Sequence, residues 1–161
     1  MKKFIALVVL TGLSVLTTAQ DLNLFQKKQF ISGNDTLPYR LLLPENYDVS
    51  KKYPLVFFLH GAGERGNDNE KQLLHGAKLF LKEEVRKKYP AIVIFPQCPQ
   101  NSFWSNVDFK MENGKRVFAF KAEGEPTIAM KLAQELLFTI LKDYRVSKRK
   151  VYVGGLSMGG M

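Results

Sequence analysis

The stretch Lys150-Val151-Tyr152-Val153-Gly154-Gly155-Leu156-Ser157-Met158-Gly159-Gly160 decides the reading of this chain. It opens with the β-branched run 151–153, which has the composition of a buried strand. It then passes directly into Gly155-Leu156-Ser157-Met158-Gly159, a G-x-S-x-G pentapeptide. A serine on a sharp strand-to-helix turn is lifted clear of its sheet, and glycines two residues before and after it relieve the crowding there. The pentapeptide alone is common; its place behind an apolar strand makes Ser157 a candidate nucleophile.

Working back along the chain, a second apolar run, 55–59, ends in His60-Gly61-Ala62-Gly63. Acyl transfer needs two preorganised N–H donors for the oxyanion of its tetrahedral intermediate. The residue after a nucleophilic serine supplies one donor, here Met158. A glycine-rich loop after an earlier strand supplies the other, here assigned to Ala62, with Gly61 and Gly63 letting the backbone approach the substrate. His60 precedes the serine and reads as a brace for its loop rather than as the catalytic base.

The rest of the pattern fits a mostly parallel α/β sheet. Residues 26–32 and 37–43 read as a hairpin around the turn formers Gly33-Asn34-Asp35-Thr36. The runs 55–59, 91–95 and 151–153 lack alternation, which suits strands covered on both faces. Helical periodicity covers 69–87 and 125–144, the second opening with Pro126 in its first turn. Strands alternating with helices are the order of a parallel sheet with flanking helices. Residues 98–124 read as a long irregular loop rich in aromatic residues, and such loops are commonly functional.

These features resemble the α/β-hydrolase superfamily, in its secreted branch of esterases and predicted peptidases related to poly(hydroxybutyrate) depolymerases, feruloyl esterases and prolyl-oligopeptidase-type domains. The resemblance runs from about Tyr39 to Met161. It rests on the segment from Leu59 to Gly66, on Pro96-Gln97-Cys98-Pro99 followed by Trp104, and on the segment from Gly155 to Gly160. It implies hydrolysis of carboxylic esters or peptide bonds without a metal or organic cofactor. It also implies a possible pocket wall at Trp104, which covering of the sheet edge would explain equally well. The superfamily takes its triad in the order serine, acid, histidine, and the sequence closes four residues after Ser157. The expectation is therefore the N-terminal half of such a fold, truncated after the elbow, lacking the triad Asp or Glu and His, and inactive by itself.

Residues 1–19 read as a signal peptide. Lys2 and Lys3 form its positive region, an apolar run follows, and Thr17 and Ala19 are small residues before a cleavage site at Gln20. The apolar run is too short for a membrane span, which needs ~20 residues. The expectation is export to the periplasm or beyond, with residues 20–161 forming one partial domain and no stable membrane anchor. The formal charge of +9 could suggest nucleic acid. Its clusters Lys51-Lys52, Arg86-Lys87-Lys88 and Lys148-Arg149-Lys150 each precede a strand, however, and read as a solvated rim. No nucleic-acid partner is expected. Cys98, the single cysteine, has no internal disulfide partner. Two further functions stay open beside an esterase: a serine peptidase of prolyl-oligopeptidase type, and a non-catalytic binding module on a hydrolase fold.

Overall fold

The computed structural model describes residues 21–121 and 123–161, so the expected signal peptide and its cleavage site lie outside the described residues. The N-terminal hairpin pairs β1 (Gln26–Ser32) with β2 (Asp35–Leu42) in antiparallel register from Ser32↔Asp35 to Gln26↔Leu41. Gly33 takes φ 58° in the tight turn, a left-handed conformation that glycine adopts without strain. The turn is tighter than the sequence suggests, so β2 begins at Asp35 rather than at Leu37.

The main sheet has the order β1-β2-β4-β3-β7. At its centre, β3 (Tyr53–Leu59) lies parallel to both β4 (Ile92–Pro96) and β7 (Val146–Gly155), while β2 meets β4 antiparallel. Leu55, Phe57, Leu59, Ile92 and Ile94 pack on one face against Ala129, Leu132, Leu136 and Ile140 of α3 (Ile128–Asp143). Val93 and Phe95 pack on the other face with Leu73, Ala77 and Leu81. All five residues of β4 are buried, as its unbroken apolar run requires.

Two expectations need correction. The helix read over 69–87 is broken into a 3-10 turn (Lys71–Leu73), α1 (Ala77–Leu81) and α2 (Glu83–Lys88). Gly76 (φ 84°) starts α1, and Lys82, extended at ψ 128°, separates α1 from α2. The long irregular loop contains β5 (Val107–Glu112) and β6 (Lys115–Phe120), paired as a separate two-stranded sheet. Its turn is Asn113-Gly114, both at positive φ, the strongest short-range hairpin signal there is. Strand β7 lies at the edge of the described sheet, with Tyr152 and Val153 57% and 60% exposed, as expected of a fold truncated after the elbow. Helix α3 starts later than Pro126 because Thr127 caps it, accepting from Met130 N at 3.1 Å and donating to Phe103 O at 2.6 Å. Among the described residues, no helix is long and apolar enough to cross a membrane.

Candidate active site

Strands β3 and β7 end side by side, Leu59 opposite Gly155, so the two motifs that follow them meet at one end of the sheet. Beyond β7, Leu156 N donates to Leu59 O at 3.0 Å. Ser157 then adopts φ 52°, a left-handed conformation that costs a non-glycine residue about 1–3 kcal/mol. A 3-10 turn over Ser157–Gly160 follows, closed by Gly159 N on Leu156 O at 2.9 Å. There is no room for side chains on either flank. A Cβ on Gly155 would stand 1.9 Å from Gly159 O, and one on Gly159 would stand 2.0 Å from Leu59 O. The Ser157 side chain is exposed while Met158 is buried in the core, so the turn presents the hydroxyl and anchors itself with its neighbour.

Across from the elbow, His60 is 1% exposed and both its ring nitrogens are engaged. Cys98 N donates to Nε2 at 2.9 Å, which leaves the proton on Nδ1, 2.7 Å from Gly61 O. Burial lowers its pKa below the ordinary histidine value, with Gly61 O and the Glu64 charge pulling the other way. An imidazole so placed has no nitrogen left for Ser157. Its effect falls instead on the Gly61–Ala62 peptide, whose carbonyl also takes Glu64 N at 3.3 Å. In a trans peptide the N–H points opposite to the C=O, so holding Gly61 O fixes the direction of the Ala62 N–H. A Cβ at Gly61 would stand 2.9 Å from Glu64 Oε2, so a side chain there would push the carboxylate aside; at Gly63 a Cβ would meet nothing within 4 Å. The steric need is thus at Gly61 and not at Gly63.

The end of β4 holds this loop, and sequence reasoning missed how. The buried Gln97 side chain accepts from Asn69 N at 2.7 Å and donates to Glu64 O at 3.2 Å and to Asp68 Oδ1 at 2.8 Å. Gly66 N bonds Cys98 O at 2.9 Å. Arg65 donates to the carbonyls of Ala62, Gln100 and Ser102 and lies over the Phe103 ring. Burial of Asp68 would raise its pKa, but hydrogen bonds from Lys71 N, Gln97 and Glu70 N outweigh it and hold the carboxyl well below the usual range. The Pro96-Gln97-Cys98 segment was the available signal, though it gives no hint that a glutamine amide would reach back across the sheet end.

Trp104 is 1% exposed, donates from Nε1 to His60 O at 3.1 Å, and sets its ring edge-on to the imidazole. It is a core residue under the loop rather than a pocket wall, because the indole N–H finds its acceptor inward. Cys98 is fully buried, which pushes its thiol up to about 12; it is no nucleophile. His75, the second histidine of the sequence, is half-exposed, its Nε2 3.6 Å from Glu64 Oε1. Among the described residues, no cluster of His, Cys, Asp and Glu is arranged to hold a metal ion.

The arrangement has known counterparts. The sequence profile of the family described as Esterase matches residues 32–161. A thermostable esterase of solved structure is 32% identical, with a TM-score of 0.70 over 85% of this chain and 35% of its own. The ferulic acid esterase AmCE1/Fae1A of Anaeromyces mucronatus shares the fold at 18% identity and a TM-score of 0.52, over 84% of this chain and 49% of its own. Dipeptidyl-peptidase 5 of Aspergillus fumigatus is 51% identical over 39 residues, 24% of this chain and 5% of that protein. The chain thus spans 35% of the thermostable esterase and 5% of the curated relative. The mixed sheet, its flanking helices and these neighbours together make the fold part of an α/β-hydrolase.

Proposed function

The chain belongs to the Esterase family, and on that premise we propose that it forms the nucleophile half of a serine hydrolase acting on carboxylic esters. Ser157 Oγ attacks the ester carbonyl carbon, its proton passing to a histidine base. The N–H groups of Ala62 and Met158 hold the oxyanion, the ester C–O bond breaks, and the alcohol leaves with the proton. Water then cleaves the acyl-serine by the same steps in reverse order. Each oxyanion donor in such a site contributes roughly 100- to 1,000-fold in kcat. The observation that carries the reading is the positive φ of Ser157 directly beyond β7, which aims an exposed hydroxyl to the side where the His60–Gly66 loop lies.

The base and its orienting carboxylate come, in this reading, from outside these 161 residues. His60 is committed to its loop, and His75 lies beside Glu64, its Nε2 3.6 Å from Oε1. The 161 residues alone then turn over no ester. The test is labelling of the full-length gene product by a serine-directed fluorophosphonate, together with aryl-ester turnover. Both should vanish in Ser157→Ala; equal labelling of that variant defeats the proposal, and failure of the native protein to label favours a binding module. A peptidase reading has one observation in its favour, the short match to a dipeptidyl-peptidase. Faster turnover of peptide anilides than of aryl esters would establish it. Export with cleavage before Gln20 is part of the same proposal, and N-terminal sequencing of the secreted protein checks it; a retained Met1 counts against it.

A further inference from the structure

We propose that Glu64 sets the charge preference of this site, favouring esters that carry a cationic group over esters that carry an anionic one. The inference rests on Ser157 being the nucleophile. Glu64 is 7% exposed, and its Oε2 is buried without a hydrogen-bond partner. Oε1 stands 3.6 Å from the half-exposed His75 ring. The adjacent cation turns elsewhere, since Arg65 spends its guanidinium on three backbone carbonyls and the Phe103 ring. Among the described residues, the half-exposed His75 is thus the one basic side chain in ion-pair range of the carboxylate.

Its position gives that charge a role. A Cβ built on Gly61 would lie 2.9 Å from Glu64 Oε2 and 3.6 Å from Ser157 Cβ. Acid and nucleophile thus border the same small space, which the missing side chain of Gly61 leaves open. The charge already acts within the loop, where it pulls the His60 pKa upward against the larger downward effect of burial. Buried charges are screened far less than exposed ones. At an effective dielectric of about 20 and a separation of about 10 Å, each charged ester differs from the neutral one by about tenfold, in opposite directions, so cationic and anionic esters differ by about a hundredfold. The net positive charge of residues 20–161, +9 less the two of Lys2 and Lys3, acts the other way, drawing anionic substrates to the protein at long range. A cationic preference would therefore have a local origin.

The experiment measures kcat/KM on the full-length protein for three matched aryl esters whose acyl chains end in methyl, trimethylammonium or carboxylate. The native protein should prefer the cationic ester to the anionic one. Glu64→Gln should lower that ratio about a hundredfold, and Glu64→Asp, which keeps the charge, should retain most of it. An unchanged ratio in Glu64→Gln overturns the proposal. So does a native preference for the anionic ester, a result that needs no variant to fold. If Ser157→Ala hydrolyses the neutral ester as the native protein does, the nucleophile assignment has failed instead.

Discussion

Residues 60–70 are fixed by side-chain hydrogen bonds, from His60 and Arg65 within and from Gln97 and Trp104 beyond β4, whereas the turn 155–160 is fixed by the exclusion of side chains. In the first region, Gln97, Arg65, His60 and Trp104 bond to backbone carbonyls or N–H groups of the loop and its surroundings. In the second, backbone meets backbone at Leu156–Leu59 and Gly159–Leu156, with no space for a Cβ at Gly155 or Gly159. A region tied by many polar contacts loses stability by increments when one is removed. A region defined by close approach has one solution, and an added methyl forces the backbone to move.

The largest effect should therefore come from Gly159→Ala. Its Cβ would overlap the Leu59 carbonyl, and relieving the clash should cost about 3 kcal/mol and displace Ser157. The check is loss of fluorophosphonate labelling together with a lower denaturant midpoint; retained labelling would show that the turn has more freedom than its packing implies. Gln97→Ala comes next. It strips a partner from Asn69 N and from Glu64 O, and leaving such buried groups unpaired costs about 1–3 kcal/mol. Thermal melting should fall, while labelling persists at a reduced rate because the elbow is untouched. A melting temperature equal to that of the native protein would mean water replaces the amide.

The smallest effect concerns His60. Its folded pKa is lowered, chiefly by burial, so below the unfolded value of about 6.5 the unfolded chain binds the proton more readily than the folded one. Stability is therefore complete above that pH and declines as pH falls through it toward the folded pKa. His60→Gln removes the titrating group and should flatten this part of the curve. Unchanged pH dependence in that variant would place the titration elsewhere.

The succession of strands in the main sheet, the position of Ser157 at the end of a strand and the proximity of the two glycine-bearing turns were all legible in the sequence. Each depends on local chemistry: turn formers, apolar runs, and glycines where the backbone crowds. Part of what escaped was local, the Asn113-Gly114 turn of the β5–β6 hairpin, and part was non-local. The apolar runs 91–95 and 151–153 look alike, and β4 is buried throughout while β7 has the bare edge that the truncated reading implies. Absence of alternation tells how a strand could be covered, and not what covers it. The spacing of Leu73, Ala77, Phe80 and Leu81 suggests one helix over 69–87, whereas Gly76 adopts a left-handed φ beside the Phe58 ring and breaks it. The bonds of Gln97 span 28 to 33 residues of sequence, beyond the reach of any local pattern.

The placement of the lone indole has an optical consequence. Trp104 is the single tryptophan of the sequence, and it is held against the imidazole and carbonyl of His60. Its emission therefore reports on one place, the junction of β3 with the oxyanion loop. Burial keeps that emission at short wavelength, and water entering as the loop lets go of β4 would move it to the red. The chain thus carries its own fluorophore at the edge of the candidate site, where loosening of the loop can be followed in real time without an introduced dye.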